Sequence, residues 1–158
     1  MILYFSAYKN KYGILDENAT LQASRDGDVK FLEWFKNSSY EFKYDKMAIN
    51  LACYNGHIQV LEWFKNSGYE FKYDEGAIHS ASVSGQIQVL EWFKNSGYGV
   101  KYNEDVINIA VYNSHVQVLE WFKNYCNIKK IMKISISEYH KTIKFKTKNN
   151  YIKGYNKN

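Results

Sequence analysis

The stretch HIQVLEWFKNSG, residues 57–68, spaces Ile58, Val60, Leu61, Trp63 and Phe64 as an amphipathic helix does. They cover so broad an arc that only Gln59, Glu62 and Asn66 form a clearly wet strip, so this helix expects neighbours on several sides. Gly68 is expected to close it. The preceding stretch DKMAINLACYNG, residues 45–56, predicts a helix of its own. Asp45 can accept the free amide hydrogens of a first turn, and Gly56 can take the left-handed conformation that ends a helix. Next, YEFKYD alternates Tyr69, Phe71 and Tyr73 with Glu70 and Lys72, the period of an extended segment. Copies of it laid side by side would set acidic and basic side chains in adjacent rows, which is weakly favourable at a surface.

The same order of elements is written several times. Trp34, Trp63, Trp92 and Trp121 step by 29 residues, and Asp16, Asp45, Asp74 and Asn103 keep the step at the start of the first helix. A unit this short cannot bury its own apolar side, so a fixed period of this length predicts a stack in which each unit leans on the next. The expected fold is all-α, a helix-turn-helix solenoid of about four units over residues 16–126, divided at 18–46, 47–75, 76–104 and 105–126. MILYFSAYKNKYGILD has the order of the back half of a unit, with Ile2, Leu3 and Phe5 in place of a full second helix. Residues 1–15 are therefore expected to be a partial repeat that caps the array.

Comparing the copies separates scaffold from candidate site. The column Ala19, Ala48, Ala77, Val106 and the column Ala23, Ala52, Ala81, Ala110 stay small, as close helix packing requires. Variation gathers in three columns of helix one: Leu21, Asn50, His79, Asn108; Gln22, Leu51, Ser80, Ile109; and Arg25, Tyr54, Val83, Tyr112. These positions share one face of the helix. A face that differs from copy to copy on a fixed scaffold is where recognition can be written; the alternative is drift at solvent-facing positions.

The run MAINLACYNGHIQVLEWFKNSG, residues 47–68, resembles the ankyrin repeat. Met47 to Cys53 match that family's T-P-L-H-x-A-A stretch, and Gly56 and His57 match the G-H that opens its second helix. The resemblance covers residues 18 to about 124. The Thr-Pro pair is missing throughout, and the unit has 29 residues where an ankyrin unit has about 33. A tight extended loop is expected where that family projects a β-hairpin. The wording LEWFKNSGYEFKYD looks like the ankyrin-type arrays that giant DNA viruses of amoebae carry in many copies. The resemblance implies a non-catalytic protein-protein interaction scaffold. Its helix-one face would be concave and, with the loop tips, would bind a protein partner, one of the host if the chain is viral.

Composition fits one small domain with an ample core: 46% of the 158 residues are hydrophobic and 18% aromatic. No apolar run approaches the roughly 20 residues of a membrane span or the roughly 7 to 15 of a signal peptide. An intracellular, cytoplasmic monomer is expected, with Cys53 and Cys126 as free thiols. No phosphate loop, zinc motif or nucleophile elbow is written in the chain, and neither enzyme activity, cofactor nor metal is expected. His57 and His115 head helix two, where Asp28 and Gln86 stand in the other copies, so a hydrogen-bonding cap role is expected of them. The Trp series would suit a stacking platform for bases, but at about 10 Å between units packing is the expectation.

Charge divides the chain. Residues 1–126 hold 12 basic and 15 acidic side chains, whereas 127–158 hold nine lysines and one glutamate, a net +8 with no further repeat. Lys141, Lys144, Lys146, Lys148 and Lys153, interleaved with Phe145, Tyr151 and Tyr155, provide the alternative function, binding of nucleic acid or an acidic surface. The alternation in KISIS and KTIKFKTK also suits a small capping hairpin.

Overall fold

The computed structural model describes residues 2–13 and 15–126, and among them every regular element is a helix. They are α1 (Ile2–Tyr12), α2 (Glu17–Asp26), α3 (Val29–Lys36), α4 (Lys46–Asn55), α5 (Ile58–Asn66), α6 (Glu75–Ser84), α7 (Ile87–Asn95), α8 (Asp105–Tyr112) and α9 (Val116–Cys126). Helices α2, α4, α6 and α8 pack each against the next, and α3, α5, α7 and α9 form a second row. Each helix of the first row also packs on the one that follows it in the chain. The core lies between the rows.

Local chemistry starts and stops the first-row helices as the side chains require. Oδ1 of Asp16, Asp45, Asp74 and Asn103 accepts from the backbone N–H two residues on, at 2.7 to 3.0 Å. At the other end Gly27, Gly56 and Gly85 sit at φ 73°, 74° and 74°. The next residue then donates its N–H to an alanine carbonyl five back, as in His57 to Ala52 at 2.9 Å, which closes the last turn. The fourth copy makes the same turn with Ser114 at φ 61°. The alanines that face the neighbouring first-row helix, Ala19, Ala48, Ala77, Ala23, Ala52, Ala81 and Ala110, are fully buried. A longer side chain in these columns would push the row apart.

Serine side chains bind the ends of α3, α5 and α7, and the expected Gly68 follows the Ser67 cap of α5 at φ 84°. Oγ of Ser38, Ser67 and Ser96 donates to the carbonyl of Phe35, Phe64 and Phe93 and accepts from the N–H of Tyr40, Tyr69 and Tyr98. Such local side-chain bonds compete with the helix ladder. Where that serine is missing the helix runs on. Helix α9 reaches Cys126, and α1, expected to be a partial remnant, is an 11-residue helix ending against Gly13 at φ 71°. Tyr8 and Tyr12 of α1 cover Phe31 at centroid distances of 5.0 and 4.4 Å, and Tyr8 covers Trp34 at 5.1 Å.

The connectors between units, expected to be tight extended loops in place of a hairpin, contain no strand among the described residues. Their aromatic rings interlock instead. Phe42 stacks on Tyr69 and Phe71 on Tyr98, the Tyr44 hydroxyl donates to the Glu70 carbonyl, and the Tyr73 hydroxyl donates to that of Tyr98. The lysines do not alternate with acids from row to row. Lys72 and Lys101 lie 4.6 and 3.9 Å from the ring centres of Tyr44 and Tyr73, and Lys43 pairs with Glu41 of its own connector.

Candidate functional site

The variable columns of the first row divide by exposure. Tyr54 and Tyr112 are 47% and 74% exposed, and Arg25 and Asn108 are also exposed. Leu21, Gln22, Leu51, His79, Ser80, Val83 and Ile109 are half-buried. Asn50 departs from the expected open column: it is 9% exposed, packed where Gly76 leaves room, with its Nδ2 2.8 Å from the place a Cβ there would take. Met47 of the same helix is exposed. Large aromatics in solvent are therefore held on two helices of one row, α4 and α8, with Arg25 at the matching position of α2.

These helices are locked to one another from behind. His57 was expected to cap its own helix, yet α5 receives no side-chain cap bond from it. Its Nε2–H instead donates to the Arg25 carbonyl at 2.9 Å, and His115 does the same to Val83 at 2.9 Å. Gln86 reaches the Tyr54 carbonyl at 3.4 Å in the equivalent place. The last-turn carbonyls of first-row helices thus find donors in the following unit. Asp28 keeps the cap role, accepting from the Phe31 N–H, while its other oxygen takes Lys11 at 2.8 Å and Tyr12 at 2.7 Å. Burial alone would raise the Asp28 pKa, but these three donors outweigh it and hold the carboxyl below its usual range. Burial pushes the Tyr12 phenol up to about 12.

The tryptophans present no platform: Trp63, Trp92 and Trp121 are buried. Each indole N–H donates to a glutamate of the preceding unit, Trp63 to Glu33 at 2.7 Å, Trp92 to Glu62 at 2.5 Å and Trp121 to Glu91 at 2.5 Å. The expected wet strip therefore loses Glu62, while Gln59 and Asn66 remain exposed. The Trp63 indole is the main cause that lowers the Glu33 pKa.

The alternating connectors carry a feature that their pattern did not predict. Two clefts of about 450 and 480 Å³ open at equivalent places between connectors, the first lined by Phe42, Tyr44 and Lys72 and the second by Phe71, Tyr73 and Lys101. The recurrence of F-K-Y at the 29-residue step was the available signal. Lys46, beside the second cleft, is held by Asp74 at 2.5 Å, which lowers the Asp74 pKa.

Among the described residues no group of three or more His, Cys, Asp or Glu side chains could hold a metal ion, and no helix is long and apolar enough to cross a membrane. Cys53 is a buried free thiol whose pKa burial pushes up. Lys141, Lys144, Lys146, Lys148, Lys153, the suggested hairpin and the Cys126 thiol lie outside the described residues. No family model matches the chain, and no curated protein or solved structure does.

Proposed function

We propose that this chain is an ankyrin-type solenoid acting as a non-catalytic scaffold, which binds a protein partner through the first-row helix face and the adjoining connectors. The observation that carries the reading is the exposure of Tyr54 and Tyr112 in the column that also holds Arg25. Tyrosine and arginine are among the residue types that most often anchor protein interfaces. Buried alanine columns and cross-unit hydrogen bonds support the reading, because a surface held in place loses little entropy on binding. No chemical step is assigned to any residue.

Affinity capture with the full chain tests this, comparing it with Tyr54→Ala, Tyr112→Ala and Gln59→Ala. A specific protein partner should be weakened by more than about 1 kcal/mol by either tyrosine change and left unchanged by Gln59→Ala, with the melting temperature unaltered in all three. Binding that ignores both tyrosines would refute the face. Retention of nucleic acid that raised salt removes would favour the alternative reading of the lysine-rich residues 127–158.

A further inference from the structure

The connectors hold hydrogen-bond donors that the stack leaves unused. Their carbonyls at Tyr44, Glu70 and Tyr98 are taken, by the Lys72 ammonium and by the hydroxyls of Tyr44 and Tyr73. By contrast, the amides of Phe42, Lys43, Phe71 and Lys72 meet no acceptor among the described residues. Lys72 and Lys101 are exposed, lie over the rings of Tyr44 and Tyr73, and form no ion pair among the described residues. The residues that carry these donors line the two clefts of about 450 and 480 Å³, where buried Tyr44 and Phe71 are joined by the partly exposed Phe42, Tyr69 and Tyr73.

We propose that the paired clefts bind a proline-rich segment of another protein in the polyproline II conformation. The site is the connector part of the scaffold proposed above, and its assignment rests on that reading. Proline carries no backbone N–H, so such a segment offers carbonyl acceptors with few donors, the complement of these walls. Its carbonyls are free to accept, because the polyproline II helix has no internal hydrogen bonds. Spacing agrees as well. Neighbouring first-row helices pack at about 10 Å, which separates equivalent points of successive connectors, and one turn of polyproline II advances about 9 Å. A proline ring at the first cleft therefore has its successor, one turn on, beside the second. Aromatic walls suit that ring, as in other aromatic-lined grooves that take such helices.

Charge argues against other segments. Glu70 and Lys72 line both clefts, and Glu17 with Lys43 at the first and Asp45 with Lys46 at the second keep the signs mixed. An acidic or a basic peptide would meet a like charge in each. A second copy of this chain is unsuitable too, since none of its 158 residues is proline.

Decaproline, about three turns of that helix, tests the proposal against a glycine-serine peptide and a glutamate peptide of equal length. Affinities are read by fluorescence anisotropy, and contacts by amide spectra of the ¹⁵N-labelled full chain. Decaproline should bind at least about tenfold tighter than either control. The amide protons of Phe42, Lys43, Phe71 and Lys72 should shift downfield on titration, and that of Gln59 should not. Lys72→Met and Lys101→Met, both at exposed side chains, should each weaken decaproline by more than about threefold with circular dichroism unchanged. Preference for the glutamate peptide, shifts confined to the first-row helices, or no binding of decaproline would each overturn the proposal, as would unchanged affinity in both lysine variants. Protein capture that depends on Tyr54 and Tyr112 would then stand unaffected, so failure here leaves the tyrosine face to its own test.

Discussion

Single residues in this protein act mostly on the unit next door. Glu62 is the clearest example, because its place on the polar side of a helix says surface, while its bond from the Trp92 indole makes it part of a junction. Removing it strands a buried donor. Unfolding in denaturant should therefore rank three changes: Trp63→Ala costing about 3 to 5 kcal/mol, Glu62→Ala about 1 to 3 kcal/mol, and Gln59→Ala within about 0.5 kcal/mol. Equal values for Glu62 and Gln59 would remove the indole bond from the account. The glutamates were readable as a 29-residue column, but their partners were not, because the bond joins residues 30 apart across two units.

Helix boundaries were legible in the first row, and in the second row the closing Gly68 was legible while the serine beside it was not. The first-row caps rest on local chemistry, an Asp or Asn at the start and a left-handed residue at the end, and local chemistry is what a sequence displays. Gly56 also answers to a neighbour, since a Cβ there would lie 2.6 Å from Oε1 of Gln86, whereas nothing lies within 4 Å of a Cβ at Gly68. Both glycines hold positive φ, so Gly68→Ala should cost about 1 to 2 kcal/mol of backbone strain, and Gly56→Ala more. Melting temperatures of the two variants check the order. Ser67→Ala should cost about 1 kcal/mol through its two lost hydrogen bonds, without disturbing Tyr54.

Across the whole molecule, carboxylates tie one unit to the next. Asp28, Glu33 and Asp74 each accept from another unit or from α1, and each has a folded pKa below its usual value. Such a group contributes stability that is fully present above its unfolded pKa and lost as pH falls through the folded one. The melting temperature is therefore expected to hold from neutral pH to about 5 and to fall below about 4. Lys11→Met should make that fall shallower, because Asp28 then loses the partner that depresses it most. A melting temperature independent of pH down to about 3 would contradict this.

By itself the sequence determined the 29-residue period, the helical character of each unit, the caps of the first helix and the small columns between helices. Those features depend on side chains close together in the chain or repeated in register. Only the tertiary structure decided that Glu62 serves a neighbour, that His57 reaches back to Arg25, that Asn50 is buried over Gly76, and that Tyr54 and Tyr112 stand in solvent. Each of these depends on how far one helix row is rotated and offset against the next. That geometry is the joint result of all the packing contacts along the stack, and no single unit's sequence contains it.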